Sequence, residues 1–110
     1  MEDQVVGPDL KLTTERAGAH AVVAIRGELD AYSAPSLEEE VSKLLGDEVS
    51  DLVFDLSETR FLDSSGLRAI LTAQRRLADR EGRLALRGPS EPVRRLLDIT
   101  GLTDHFIVES

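Results

Sequence analysis

Residues 61–67 read Phe-Leu-Asp-Ser-Ser-Gly-Leu and combine a carboxylate, two adjacent hydroxyls and a glycine. Asp63, Ser64 and Ser65 are residue types that cap helices, because a short side-chain oxygen can accept a hydrogen bond from a backbone N–H that has no partner within the helix. A helix N-terminus also favours negative charge, so a phosphate on one of these serines would be stabilised there. Gly66 would let another molecule approach the backbone closely. The segment can therefore act as a helix cap alone or as a site of serine phosphorylation.

The segment lies between a predicted strand and a predicted helix. Residues 51–56 are mostly apolar and rich in β-formers, as expected for a strand buried between two layers. After the segment, apolar residues recur at helical spacing at Leu67, Ile70, Leu71, Leu77 and Ala78. We therefore expect the acidic and hydroxyl residues at the N-terminus of an amphipathic helix, with one of them as its cap.

The rest of the chain alternates strand patterns with helix patterns. Residues 10–13 and 21–25 predict two strands of a hairpin, joined by a turn at residues 15–18. Further strands are predicted at residues 83–87 and 106–108. Two more helices are predicted from their capping serines, first-turn prolines and terminal glycines: Ser33, Pro35 and Gly46 for one, and Ser90, Pro92 and Gly101 for the other.

This alternation predicts an α/β fold in a single domain spanning residues 1–110, with an ordered core of about residues 9–108. The sheet is expected to be mixed and mostly parallel, with an N-terminal hairpin and a cover of about three to four helices. The turns that follow parallel strands lie at one end of such a sheet. We therefore expect the turn at residues 27–30 and the turn at residues 63–67 to be neighbours that form one surface.

Composition and charge narrow the classes of function. The chain has 110 residues, a formal net charge of −8 and a pI near 4.7, which argues against general nucleic-acid binding because that binding relies on Lys and Arg. It has no cysteine, its apolar runs are too short to span a bilayer, and residues 1–4 lack the basic flank of a secretory segment. We expect a cytoplasmic protein without membrane contact.

The residues offer little for catalysis or cofactor binding. His20 and His105 are the two histidines, and each is expected at the end of a strand rather than beside a nucleophile. The chain shows no zinc spacing, no calcium loop and no glycine-rich Walker loop. We expect no enzyme activity, no metal and no cofactor.

Two motifs, at residues 27–30 (Gly-Glu-Leu-Asp) and 63–67 (Asp-Ser-Ser-Gly-Leu), occur in an order that resembles the STAS domain family. Within that family the chain is similar to the small anti-sigma factor antagonists of the partner-switching type, over about residues 10–108. The resemblance implies that Ser64 is the serine phosphorylated by a partner kinase, with Ser65 as the second candidate acceptor. It also implies a partner-binding surface, to which we assign Asp30, Asp63, Ser65, Gly66, Leu67 and Arg68.

The resemblance further implies the partners. These are an anti-sigma factor with serine kinase activity, which the unphosphorylated form would bind so that the sigma factor is released, and a PP2C-type phosphatase that resets the chain. We expect a monomer or weak dimer. Two alternatives stay open: a STAS subunit of a lipid-transport or membrane-transporter complex, and a small enzyme or nucleotide-binding protein that reuses the fold.

Overall fold

The computed structural model describes the backbone of residues 2–5 and all of residues 9–109. Strands and helices alternate along most of this range. Their bounds are β1 Glu2–Val5, β2 Leu10–Ala17, β3 His20–Leu29, α1 Ala34–Gly46, β4 Asp51–Asp55, β5 Thr59–Leu62, α2 Ser64–Ala78, β6 Arg83–Arg87, α3 Glu91–Thr100, a short 3-10 helix Thr103–His105, and β7 Ile107–Glu109.

The described strands form one mixed sheet with the order β1-β2-β3-β4-β6-β7, and β5 pairs with β3 beyond the end of β4. β2 is antiparallel to both of its neighbours, β1 and β3. All other pairs are parallel: β3 with β4 and β5, β4 with β6, and β6 with β7. The predicted fold class is therefore confirmed: an α/β domain with a mostly parallel sheet, an N-terminal hairpin, three α-helices and one 3-10 turn.

All three α-helices pack on the same face of the sheet. The parallel strands β3, β4, β6 and β7 follow one another in a single direction across the sheet, and right-handed connections between them place every helix on one side. The main apolar cluster accordingly contains Leu52 and Phe54 of β4 together with the buried residues of the helices, whereas Val53 is buried but lies outside this cluster. The prediction that β4 is a buried strand is confirmed, since Leu52, Val53 and Phe54 are each at most 2% exposed, but the helices lie on one side of it only.

Several element ends differ from the predictions. β2 extends through Ala17, so the hairpin turn falls at residues 18–19 rather than 15–18, where Gly18 has a φ of 62°. β3 continues through Leu29 instead of turning at residue 27, because a bulge between Gly27 and Glu28 lets the strand go on and pair with β5. Neither β1 nor β5 was predicted, and β7 begins one residue later than expected.

The bulge in β3 requires glycine. Gly27 has a φ of 101°, and a Cβ at this position would collide with the carbonyl oxygen of Asp9. The neighbouring hydrogen bonds fix the chain there: the N–H of Gly27 donates to Glu58 O at 3.0 Å, and the N–H of Glu28 donates to Asp9 O at 2.7 Å. The bulge thus aligns the last residues of β3 with β5.

The helix boundaries follow the predicted signals, but two of the caps do not. Gly46 ends α1, and Gly101, with a φ of 72°, caps the C-terminus of α3. Ser33 and Ser90 precede their helices but make no side-chain capping bond; the Ser90 hydroxyl instead donates to Thr59 O. Within the described residues, no helix has the length and apolar character needed to span a bilayer.

Candidate functional site

The two turns singled out in the sequence lie side by side at one end of the sheet. β3 and β5 are parallel, with Leu29 paired to Leu62, and the N–H of Asp63 donates to Leu29 O at 3.4 Å. Asp30 and Asp63 therefore follow directly after neighbouring strands. The prediction that the two turns are neighbours is confirmed.

Asp63 is the cap of α2. Its backbone is extended, and its Oδ1 accepts hydrogen bonds from the N–H groups of Ser65 at 2.9 Å and Gly66 at 3.0 Å. The carbonyl of Asp63 accepts from the N–H of Leu67 at 2.9 Å, which closes the first turn. Of the three predicted candidates, the carboxylate makes the capping bonds, and the two serine hydroxyls are left free of that task.

The two hydroxyls differ in accessibility. Ser64 is exposed and Ser65 is half-buried, and in the described part of the chain neither hydroxyl has a hydrogen-bond partner. The N–H groups of Ser65 and Gly66, expected to stabilise a phosphate, already bond to Asp63. A phosphate on Ser64 would thus not find these backbone donors free, which corrects one part of the sequence interpretation.

Gly66 and Leu67 lie beneath the surface. A Cβ at Gly66 would stand 2.5 Å from Leu29 O and 2.6 Å from Leu62 Cδ1, so the molecule that approaches this glycine closely is the chain's own β3 and β5. Leu67 is 6% exposed and packs in the main apolar cluster. The structure therefore places these two residues where they hold α2 against the sheet, whereas Arg68 is exposed.

Asp30 organises the turn between β3 and α1. Its Oδ1 accepts from the N–H groups of Tyr32 and Ser33, each at 3.0 Å, and lies 3.1 Å from the Ser33 hydroxyl. The bond from the Ser33 N–H is the main reason that the pKa of Asp30 lies below its usual range; burial opposes this shift, and the Ser33 hydroxyl and the Tyr32 N–H add to it. Asp30 therefore holds the turn that leads into α1, whose own first N–H groups receive no side-chain cap.

The Asp30 turn presents an aromatic side chain that the sequence analysis missed. Tyr32 is 84% exposed, and its backbone N–H is held by Asp30. Large aromatic side chains in this position are typical of binding surfaces. The sequence feature that could have predicted it is a tyrosine in the short segment between the motif at residues 27–30 and the following helix.

The pKa of Asp30 predicts a pH-dependent contribution to stability. The native pKa lies below the unfolded value of about 3.9, so the ionised carboxylate stabilises the fold above that unfolded pKa, and this contribution is lost as the pH falls through the native pKa. We expect the thermal midpoint of the wild type to exceed that of Asp30→Asn most near about pH 6, with the gap shrinking toward about pH 2.5. A gap that is constant over this range would contradict the assignment.

Of the two histidines predicted at strand ends, only His20 is at one. His20 is the first residue of β3, and its Nδ1 lies 3.3 Å from the Asp51 carboxylate. The site lies at the other end of this ten-residue strand, which spans about 30 Å, so His20 is too far away to act on Ser64. His105 ends the 3-10 helix just before β7 and stacks edge-on against Phe106.

A model of the STAS domain family matches residues 11–110. The chain belongs to the STAS domain family. The match covers nearly the same range as the resemblance expected from the two motifs. The STAS fold accounts for the hairpin, the parallel strands and the helix that begins at Ser64.

Several relatives of this STAS domain are named anti-sigma factor antagonists. An anti-sigma-B factor antagonist of Listeria monocytogenes is 38% identical over 90 residues, which are 82% of this chain and 79% of the relative. The crystal structure of an anti-sigma factor antagonist from Mycobacterium paratuberculosis matches with a TM-score of 0.82 and 29% identity over 96% of this chain and 90% of that one. The anti-sigma factor antagonist SpoIIAA in its unphosphorylated form matches with a TM-score of 0.79 and 25% identity over 90% and 88%.

Proposed function

We propose that this STAS domain is an anti-sigma factor antagonist whose binding is switched off by phosphorylation of Ser64. The observation that carries the proposal is an exposed Ser64 hydroxyl that bonds to none of the described residues, at the start of a helix whose cap is supplied by its neighbour Asp63. The relatives named as anti-sigma factor antagonists support the same function. One of them, SpoIIAA, has a structure that is named as its unphosphorylated form.

The unmodified protein binds an anti-sigma factor with serine kinase activity, which then cannot hold its sigma factor. The kinase brings ATP, magnesium and the catalytic base, and this chain supplies only the acceptor hydroxyl. Because Asp63 fixes the first turn of α2, the backbone that carries the hydroxyl is held in one place, and the side chain can turn to the geometry of in-line attack. The chain acts as substrate and inhibitor together and is not itself an enzyme.

The binding surface consists of the exposed part of the two turns. Asp30, Asp63, Ser65 and Arg68 contribute side chains to it, and Tyr32 extends it on the side of the β3 turn. Gly66 and Leu67 contribute by holding α2 against β3, since both are buried. This assignment refines the partner-binding set predicted from the sequence.

Phosphorylation loosens the complex through charge. A phosphoserine carries about −1.5 to −2 charges at neutral pH and here would lie next to the carboxylate of Asp63. Two unit charges about 5 Å apart at an effective dielectric of ~20 repel by about 3 kcal/mol, and exposure to salt and water reduces this to about 1 to 3 kcal/mol. Both groups belong to the same chain, so binding weakens to the extent that the interface excludes water and strengthens this repulsion, by about five- to 150-fold without any change of fold.

The remaining parts of the proposal concern the cellular setting. A PP2C-type phosphatase removes the phosphate, the protein acts in the cytoplasm, and it exists as a monomer or weak dimer. Its effect on transcription is indirect, because a net charge of −8 disfavours contact with nucleic acid.

The proposal is tested by co-purification from the native host with the wild type and Ser64→Asp as baits. We expect the wild type to retain a kinase-like anti-sigma factor and Ser64→Asp to lose it. Incubation of the two proteins with ATP should then add a single phosphate by intact mass, located at Ser64 by fragmentation. Recovery of transporter or lipid-transport subunits instead would favour the alternative STAS function, and phosphate located only at Ser65 would overturn the choice of acceptor.

A further inference from the structure

Arg68 stands one helical turn after Ser64 on α2. The two residues are four positions apart, so their side chains lie on the same face of the helix, and both are exposed. In the described part of the chain, the Arg68 guanidinium has neither a hydrogen bond nor an ion pair, whereas Arg76 of the same helix and Arg80 just after it bond to α1. Arg68 is therefore a cation that lies close to the proposed acceptor and makes no polar contact that would stabilise the described part of the fold.

The first turn of α2 leaves a phosphate few other partners. Asp63 Oδ1 occupies the N–H groups of Ser65 and Gly66, and the N–H of Leu67 bonds to the Asp63 carbonyl. The neighbouring charges are the carboxylates of Asp63 and of Asp30 in the adjacent turn, together with Arg60 on β5. An anion placed four residues before a cation is the favourable order for a pair on a helix, and guanidinium binds phosphate through two parallel hydrogen bonds.

We propose that Arg68 forms an intrahelical salt bridge with the phosphate on Ser64 and is thereby withdrawn from the partner-binding surface. The inference rests on the proposed phosphorylation of Ser64. Phosphorylation then acts twice on the complex, because it adds negative charge at the surface and also removes a cationic contact from it. The same salt bridge stabilises the phosphorylated form of the free protein.

The inference can be tested without the partner or the kinase. Phosphoserine is installed at position 64 during translation by genetic code expansion, and the ionisation of the phosphate is followed by ³¹P NMR between about pH 4 and about pH 8, a range that contains its second pKa. We expect this pKa to rise by about 0.3 to 0.7 units in Arg68→Gln, since loss of the guanidinium disfavours the dianion. Arg68→Lys, which keeps the charge, should show less than half of that rise.

Two matched variants with the same change of net charge serve as controls. Arg75 is exposed on α2 eleven residues after Ser64, about 16 Å along the helix, so Arg75→Gln should leave the phosphate pKa unchanged. Arg60→Gln tests the cation on β5. An unchanged pKa in Arg68→Gln, an equal rise in Arg75→Gln, a larger rise in Arg60→Gln, or a full rise in Arg68→Lys would overturn the salt bridge.

The outcome is separable from that of the proposed function. If the phosphate shows the Arg68-dependent pKa but no anti-sigma factor is recovered from the host, the salt bridge stands and the proposed partner fails. If the partner binds and is released by phosphorylation but the pKa does not depend on Arg68, the switch stands and the role of Arg68 fails.

Discussion

We expect Ser64→Asp to bind the proposed anti-sigma factor about five- to 150-fold more weakly than the wild type does, and Ser64→Ala to bind with nearly wild-type affinity but not to be released by ATP. The aspartate places a permanent negative charge beside Asp63, whereas alanine removes only the group that accepts the phosphate. Isothermal titration calorimetry with the purified partner measures both dissociation constants, and size-exclusion chromatography after addition of ATP measures release.

The control for this experiment is Ser50→Asp. Ser50 is exposed and precedes β4 at the opposite end of the sheet, so this variant changes the net charge equally but away from the two turns. We expect it to bind like the wild type. An equal loss of affinity in both aspartate variants would mean that net charge rather than the charge at Ser64 weakens binding.

Ser64→Ala should also leave the stability of the domain unchanged. The capping bonds to the N–H groups of Ser65 and Gly66 come from Asp63, so removal of the Ser64 hydroxyl costs none of the roughly 1 kcal/mol that a lost cap typically costs. Urea denaturation checks this. If Ser64→Ala is clearly destabilised, the hydroxyl has a structural role. That result would favour the interpretation of the segment as a helix cap alone over its interpretation as a phosphorylation site.

Gly66→Ala lowers the free energy of unfolding by about 1 to 3 kcal/mol or more. The added Cβ would stand 2.5 Å from Leu29 O, a backbone atom of β3 that cannot move away without breaking the pairing of β3 with β5. Either α2 or the end of β3 must shift, so the two turns separate as well. We therefore expect weaker partner binding in addition to the loss of stability measured by urea denaturation.

Gly46→Ala is the matched control. Gly46 is the last residue of α1, has a negative φ, and nothing lies within 4 Å of a Cβ built there. Because alanine is a better helix former than glycine, this variant should be neutral or stabilised by up to about 1 kcal/mol. Equal stability of Gly66→Ala and Gly46→Ala would show that the space at Gly66 is not limiting.

The sequence predicts the parts of the fold that local patterns determine. Leu67, Ile70 and Leu77 recur at helical spacing, and they are buried residues of α2 in the structure. Asp63, Ser64 and Ser65 combine at a helix start, although only the structure shows which of them makes the capping bonds. Ser33 is a suitable cap by type, but only the structure shows that its hydroxyl bonds to Glu28 and Asp30 instead of to the helix.

Other features depend on distant parts of the chain and leave no local signal. In β5, Arg60 and Phe61 are consecutive exposed residues, so the strand has no alternating pattern and exists because β3 offers it hydrogen bonds. A glycine at position 66 indicates that other atoms approach the backbone closely. The residue type does not tell whether those atoms belong to a partner or to the same chain. The placement of all three helices on one face follows from the order of the strands in the sheet, and no local sequence pattern indicates that order.

The pairing of Leu29 with Leu62 has a consequence for the speed and economy of recognition. Both turns are attached to adjacent strands and tied by their own aspartates, so a partner meets a surface that is already ordered. Little conformational entropy is lost when such a preorganised surface binds, and the association rate is not limited by a rearrangement of this chain. Under the proposed switch, the two states would exchange by adding or removing one phosphate, with no rearrangement of the two turns.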